Sequence, residues 1–162
     1  MVFLRYLYVV ALVLWVGGLM SAGALVAPAV FGVLQGWNAS QGRVLAGQVF
    51  GEVLLRLTWL SYVMAVIMFV TLTLHRLLGA RPLKYGIRVG IMTMMLLLMM
   101  AIGFYILPQV NDIQAQIAGP VAQLAESDAR RVEFDRLHGL SNILFSITAI
   151  GGLALCWWEA RE

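Results

Sequence analysis

The chain has 162 residues, of which 62% are hydrophobic and 12% are charged, and its formal net charge is +3. This small number of charged groups cannot cover a folded chain with a polar surface. The composition therefore excludes an ordinary water-soluble domain. The single cysteine, Cys156, excludes an intrachain disulfide and a paired-cysteine metal site. The net charge does not indicate nucleic-acid binding, because the cations lie at the ends of apolar stretches, where membrane orientation accounts for them.

Four apolar stretches make up nearly the whole sequence. A helix needs about 20 apolar residues to cross a hydrocarbon core about 30 Å thick, and each stretch reaches that length. The predicted fold is therefore all-α: a polytopic membrane protein whose residues 1–162 form one four-helix transmembrane domain, with the lipid bilayer as its main partner. The predicted spans are Phe3–Leu34, Val53–Leu74, Ile87–Leu107 and Leu137–Trp158.

Small residues recur four positions apart in the first span. Such pairs let helix backbones approach closely, and they favour a packing seam inside the monomer over the alternative, a homodimer face. Pro28 is expected to kink or end this helix, because proline lacks an N–H and clashes with the preceding turn. The pairs are Gly17 with Ser21, Gly18 with Ala22, and Gly23 with Ala27.

The third span is unusually rich in methionine. Thioether sulfurs select soft metals such as Cu(I), but methionine is also a flexible filler of apolar cores. No cysteine or histidine lies near the cluster in sequence, so packing or lipid contact is the favoured interpretation. The methionines concerned are Met92, Met94, Met95, Met99 and Met100, with Met64 and Met68 in the second span.

The longest polar connection is Gln109–Arg136, and Pro108 is expected to end the third span just before it. Ser127 is the expected N-cap of the last helix, which then continues into the fourth span. An apolar repeat in the connection predicts a short amphipathic helix at the outer surface, broken by Gly119 and Pro120. The repeat consists of Val110, Ile113 and Ile117.

Orientation follows from the cations near the spans. The connection Arg76–Arg88 contains four cations and no acid, whereas the totals on the two sides of the membrane are nearly equal. Because cytoplasmic loops carry an excess of Lys and Arg, we expect this connection and both termini to face the cytoplasm of a bacterium, in its inner membrane.

One polar cluster is a candidate ligand or ion site. Polar groups at membrane depth are costly and usually face the interior of a bundle. His138, Ser141 and Asn142 share one face of a helix, and three further residues are expected at the same level. Those three are Glu52, Arg56 and Asp135. The alternative interpretation is that these six side chains only tie helix ends together.

The two histidines argue against a haem enzyme. His75 and His138 lie at opposite ends of their spans, roughly 25–30 Å apart at 1.5 Å of helix rise per residue, too far to share one iron. Phosphate-binding glycine loops, paired histidines on one helix face and serine–histidine elbows are missing from the sequence. We therefore expect no cofactor and favour a non-enzymatic protein.

Three short motifs resemble a bacterial membrane family of unknown function that is related to eukaryotic transmembrane protein 205. They are Trp15-Val16-Gly17-Gly18 with Ala27-Pro28 and Phe31, then Gly47-x-x-Phe50, then Arg131-x-x-Phe134-x-x-x-His138-Gly139-x-Ser141 with Asn142. The resemblance implies four transmembrane helices and a polar outer loop, but no settled activity. The eukaryotic relatives are associated with resistance to a platinum drug, and Trp-x-Gly-Gly is shared with copper-resistance membrane proteins.

The sequence thus predicts a non-enzymatic accessory or structural membrane protein, which could act with copies of itself or with another membrane protein. The alternative is transport, binding or resistance for a metal ion or small cation at the outer polar cluster. An enclosed cavity that reaches His138 would favour the alternative, and a tightly packed bundle would favour the structural role.

Overall fold

The structure, a computed structural model, describes residues 2–79, 84–117 and 119–161. Its described part contains four helices that are long and apolar enough to cross a membrane, and no strand. The predicted all-α, four-span fold is confirmed. The helices are α1 (Val2–Trp37), α2 (Gln41–Leu78), α3 (Tyr85–Ala115) and α4 (Ala129–Glu159).

The helices are connected so that neighbours in sequence are neighbours in space, and α4 also packs against α1. One end of the bundle carries the turn between α1 and α2 and the segment 116–128; we call it the loop end. The opposite end, the terminal end, carries both chain termini and the connection from α2 to α3. Arg81 and Pro82, expected in that connection, lie outside the described residues.

Two prolines that were expected to end or kink helices are accommodated without interrupting them. A π-helical turn, Ala22–Val26, precedes Pro28, and a second, Ile102–Ile106, precedes Pro108. Each turn shifts the hydrogen-bond register by one residue, so that Ala27 donates to the carbonyl of Ala22. A register shift of this kind can absorb the missing proline N–H. Pro108 therefore does not end the third helix.

The short amphipathic helix predicted after Pro108 is present as Leu107–Ala115, but it continues α3 instead of forming a separate surface helix. Its apolar side chains Val110 and Ile113 pack against the core of the bundle.

The methionines divide between the core and the outer surface. Met92, Met95 and Met99 are fully buried, whereas Met94 and Met100 are 39% and 40% exposed. Because the buried three follow an i, i+3, i+7 spacing, they form one face of α3. The expectation of packing or lipid contact holds for these five methionines, and three of them lie in the core.

Glycines mark the closest helix contacts, and most of these lie outside the first span. A Cβ on Gly18 would lie 2.9 Å from Cδ1 of Leu57, which agrees with the expected seam. A Cβ on Gly23 would meet nothing within 4 Å, so the seam does not extend to that residue. On α4, a Cβ on Gly152 would overlap the side chain of Val16.

Four buried serine and threonine hydroxyl groups bond to their own helices. Each donates to the carbonyl four residues earlier, which satisfies a polar group that lipid and core side chains could not. The residues are Thr58, Ser61, Thr71 and Thr148, at 2.7–2.8 Å from the carbonyls of Leu54, Leu57, Ile67 and Leu144.

Candidate functional site

A cleft opens at the loop end between the four helices. α4 packs against the Val2–Ser21 part of α1, while the Ala27–Trp37 part of α1 packs mainly on α2. Two cavities fill the resulting space, a deeper one of about 420 Å³ and one of about 800 Å³ nearer the segment 116–128. They share wall residues, including Phe31 and His138, and therefore form one continuous cleft.

Aromatic rings line the middle of the cleft. Phe31 of α1 and Phe50 of α2 meet edge to face, with ring centroids 6.3 Å apart. On the α4 wall, Phe134 stacks on the ring of His138 at 6.0 Å with an interplanar angle of 4°. These four rings border both cavities. The cleft therefore has aromatic rings at its waist, and its deeper half is lined mainly by apolar residues.

Four of the six predicted site residues lie on the cleft wall. His138, Ser141 and Asn142 line the deeper cavity, and Asp135 lines the shallower one with His138 and Asn142. The Ser141 hydroxyl donates to the carbonyl of His138 at 2.8 Å, so part of its hydrogen-bonding capacity is used within α4. The common helical face predicted from their spacing is the face that borders the cleft.

Glu52 and Arg56 do not join this cluster. They form an exposed i, i+4 pair at 3.7 Å, with side chains 63% and 84% exposed, and neither lines the cleft. The expectation that all six residues form one cluster is therefore wrong. The physical reason is helical periodicity. The wall positions of α2 recur every three to four residues through Gly47, Gly51, Leu54 and Leu57, and the exposed pair falls between them.

The segment 116–128 is tied to the helices below it. Arg131 donates to the carbonyl of Leu124 at 2.8 Å, and Gln123 donates to the Ser40 hydroxyl at 3.1 Å, in the turn between α1 and α2. These bonds hold the segment against the wider, shallower cavity, whose wall includes Gly119–Ala122.

Asp128, and not Ser127, is the N-cap of α4. Its carboxylate accepts the Arg130 guanidinium, with Nη2 at 2.8 Å from Oδ2, and also the backbone N–H of Arg130 at 2.9 Å. These hydrogen bonds, the side-chain bond foremost, lower the pKa of Asp128 to about 2. An ionised carboxylate at a helix N-terminus also interacts well with the helix dipole.

Sequence reasoning missed the contributions of α1, α3 and the start of α2 to the cleft. Asn111 and Gln114 supply carboxamides from α3, and Arg43 and Gln48 supply polar groups from α2. A signal was available, because Asn111 and Gln114 are spaced i, i+3 and share a helix face next to the apolar repeat. The apolar repeat had been interpreted as part of a surface helix, so no function was assigned to the polar side chains next to it.

A second charged group lies at the terminal end and was also missed. Glu159 accepts Nε of Arg5 at 2.6 Å on Oε1 and Nη1 of Arg88 at 2.9 Å on Oε2. Arg88 is 1% exposed and lies inside α3, whereas the sequence interpretation had counted it among the cations of the connection Arg76–Arg88 and had given it no partner. This terminal ion cluster (Arg5, Arg88, Glu159) joins α1, α3 and α4 across 154 residues of sequence.

The geometry defines a polytopic membrane protein: a four-helix bundle with an amphipathic cleft at the loop end and an ion cluster at the terminal end. The chain belongs to the family described as a domain of unknown function (DUF4149), whose family model matches residues 10–118. The matched range contains most of α1 and all of α2 and α3. It ends before α4 and the His138 motif. No curated protein and no solved structure matches the chain.

Proposed function

We propose that this protein is a non-enzymatic membrane protein that binds an amphipathic small molecule in the loop-end cleft. The observation that carries the proposal is the cleft itself, a space of several hundred Å³ that reaches His138 from the middle of the bundle. Volumes of about 300–1,000 Å³ with mainly apolar walls and a few polar groups are typical of small-molecule sites.

The distribution of side chains along the cleft supports an amphipathic ligand. The deeper part is bordered by Leu19, Leu54 and Phe145, which suit an alkyl or aryl group. The arginine and aspartate side chains of the wall, Arg43, Arg131 and Asp135, border only the shallower cavity near the segment 116–128, where a headgroup could form hydrogen bonds. The space lies between the Ala27–Trp37 part of α1 and α4, so a ligand dissolved in the bilayer could enter sideways between these helices.

The residues that line the cleft support metal binding less well than binding of an organic molecule. Among the residues that the structure describes, no group of three or more His, Cys, Asp or Glu side chains is placed to hold a metal ion. His138 and Asp135 would have to act with neutral carboxamides, which are poor ligands for soft metals. An organic ligand accounts better for the size and the apolar walls of the cleft.

We also propose a membrane location and an orientation for the protein. We infer a bacterial inner membrane with the termini in the cytoplasm, supported by Arg76 and Lys84 near the short connection of the terminal end. The cleft then belongs to the outer leaflet. Kinship with eukaryotic transmembrane protein 205 is part of the same proposal and is supported by the His138-Gly139-x-Ser141 motif of the α4 wall.

The test uses a substitution that fills the cleft without disturbing the fold. Gly23 lines both cavities, and a Cβ there meets nothing within 4 Å, so Gly23→Leu should fold normally and occupy ligand space. Gly32 on the same helix is also open but does not line the cleft, so Gly32→Leu is the matched control. Binding of dodecylphosphocholine would be measured by calorimetry on protein held in a non-ionic amphipol.

We expect Gly23→Leu to weaken binding of this probe at least tenfold and Gly32→Leu to leave it unchanged, with equal melting temperatures. His138→Gln should weaken binding while the fold is retained, because the imidazole lies at the waist of the cleft. Equal affinity of wild type and Gly23→Leu would show that the ligand does not occupy this space and would overturn the proposal.

A further inference from the structure

The charges on the cleft wall do not balance. The charged or titratable side chains facing the space are Arg43, Arg131, Asp135 and His138. Arg131 and Asp135 lie 3.9 Å apart on α4, and Arg131 also approaches Glu126 at 3.5 Å. These acids offset the guanidinium of Arg131, so that pair adds no net positive charge to the wall.

Arg43 is different. It lies in the first turn of α2 and is exposed toward the shallower cavity. Among the described residues it takes part in no ion pair. The next basic side chain along α2, Arg56, pairs with Glu52 away from the cleft. Arg43 is thus the one cation on the described cleft wall whose charge no carboxylate offsets.

Hydrogen-bond donors line the same cavity as Arg43. They are the carboxamides of Gln48 of α2, Gln35 of α1 and Gln114 of α3. Carboxamide N–H groups and a guanidinium together suit a phosphate or carboxylate, because charge-assisted hydrogen bonds from Arg are stronger than neutral ones. A cationic headgroup would instead meet the unbalanced charge of Arg43.

We infer that the ligand of the cleft is an anionic amphiphile whose phosphate or carboxylate headgroup is bound by Arg43, with its apolar part in the deeper cavity. This inference rests on the proposed function and adds the chemical class of the ligand. The headgroup could belong to a bilayer lipid or to a soluble amphiphile, whereas a free inorganic anion would leave the apolar depth of the cleft unused.

The experiment compares probes that share one tail. Dodecyl phosphate, dodecylphosphocholine and dodecyltrimethylammonium would be titrated, below their micelle concentrations, into the full chain held in a non-ionic amphipol. Inorganic phosphate would be titrated separately. The variants are Arg43→Gln and the matched control Arg56→Gln, which removes a cation from the same helix outside the cleft. Melting temperatures of both variants would verify folding.

We expect dodecyl phosphate to bind at least tenfold more tightly than the other two probes, Arg43→Gln to abolish that preference, and Arg56→Gln to preserve it. Inorganic phosphate should bind far more weakly than dodecyl phosphate. Equal binding of all three headgroups, still sensitive to Gly23→Leu, would overturn the anionic class and leave the cleft function standing. Binding of inorganic phosphate as tight as that of dodecyl phosphate would also overturn it, and no binding of any tailed probe would refute the proposed function itself.

Discussion

Arg88 and Glu159, 71 residues apart in sequence, form a buried ion pair of 2.9 Å at the terminal end of the bundle. The Arg88 side chain is 1% exposed and that of Glu159 is 10% exposed. The carboxylate also accepts the half-exposed guanidinium of Arg5. One acidic side chain therefore joins three helices at the end where both chain termini lie.

Removing this carboxylate should be strongly destabilising. Glu159→Gln removes the carboxylate that pairs with the buried guanidinium of Arg88, and breaking a buried pair in this way costs about 3–5 kcal/mol. Equilibrium unfolding in mixed micelles would measure the loss. Glu52→Gln, which breaks the exposed pair with Arg56, should cost less than about 1 kcal/mol. Similar losses for the two variants would mean that the terminal ion cluster does not stabilise the fold.

The contact between Val16 and Gly152 should be intolerant of added volume. Gly152→Ala places a methyl group inside the space of the Val16 side chain, and overpacking of this kind costs about 1–3 kcal/mol. Val16→Ala in the same chain should restore part of the stability. Gly139→Ala is the matched control on α4, because a Cβ there meets nothing within 4 Å. It should be neutral or stabilising by up to about 1 kcal/mol.

Met95 and Met94 provide a neighbouring pair with opposite environments. Met95 is fully buried and Met94 is 39% exposed, so Met95→Ala should leave a cavity while Met94→Ala should not. Cavity formation by such truncations costs about 2–5 kcal/mol. Unfolding in mixed micelles would compare the two, and equal losses would contradict the core assignment of Met95.

The helix cap at Asp128 should give stability a defined acid dependence. Its pKa falls from the ordinary 3.8 to about 2, so the folded state binds this proton less readily than the unfolded state. The stabilising contribution is fully present above pH 3.8 and is lost as the pH falls toward 2. The difference in melting temperature between wild type and Asp128→Asn should therefore shrink over that interval. A constant difference would exclude a role for the charge.

The proposed orientation can be tested by cysteine labelling in a Cys156→Ser background. Ala125 lies at the loop end and Ala160 at the terminal end, and both are exposed. Because the terminal end carries the short cationic connection, a membrane-impermeant maleimide should label a cysteine at position 125 in intact cells and one at position 160 only after lysis. Labelling in the opposite pattern would invert the topology and place the cleft in the inner leaflet.

Composition and local pattern were sufficient to predict four membrane helices. Each span makes its backbone hydrogen bonds within itself, and a stretch of about 20 apolar residues identifies it without reference to the other helices. The shared face of His138, Ser141 and Asn142 was equally local, since it depends only on the period of one helix. The ends of the helices were less predictable. Pro108 was expected to stop α3, and a π turn before it kept the helix intact.

What only the tertiary structure decided is which faces of different helices meet. The distance between α4 and the Ala27–Trp37 part of α1 creates the cleft, and no local pattern encodes that distance. The same holds for Arg88, which was counted only among the cations of the connection Arg76–Arg88. Its partner Glu159 lies on another helix, so the ion pair was not predicted. Apolar length specifies each span separately, whereas ion pairs, glycine contacts and cavities depend on the packing of all four helices together.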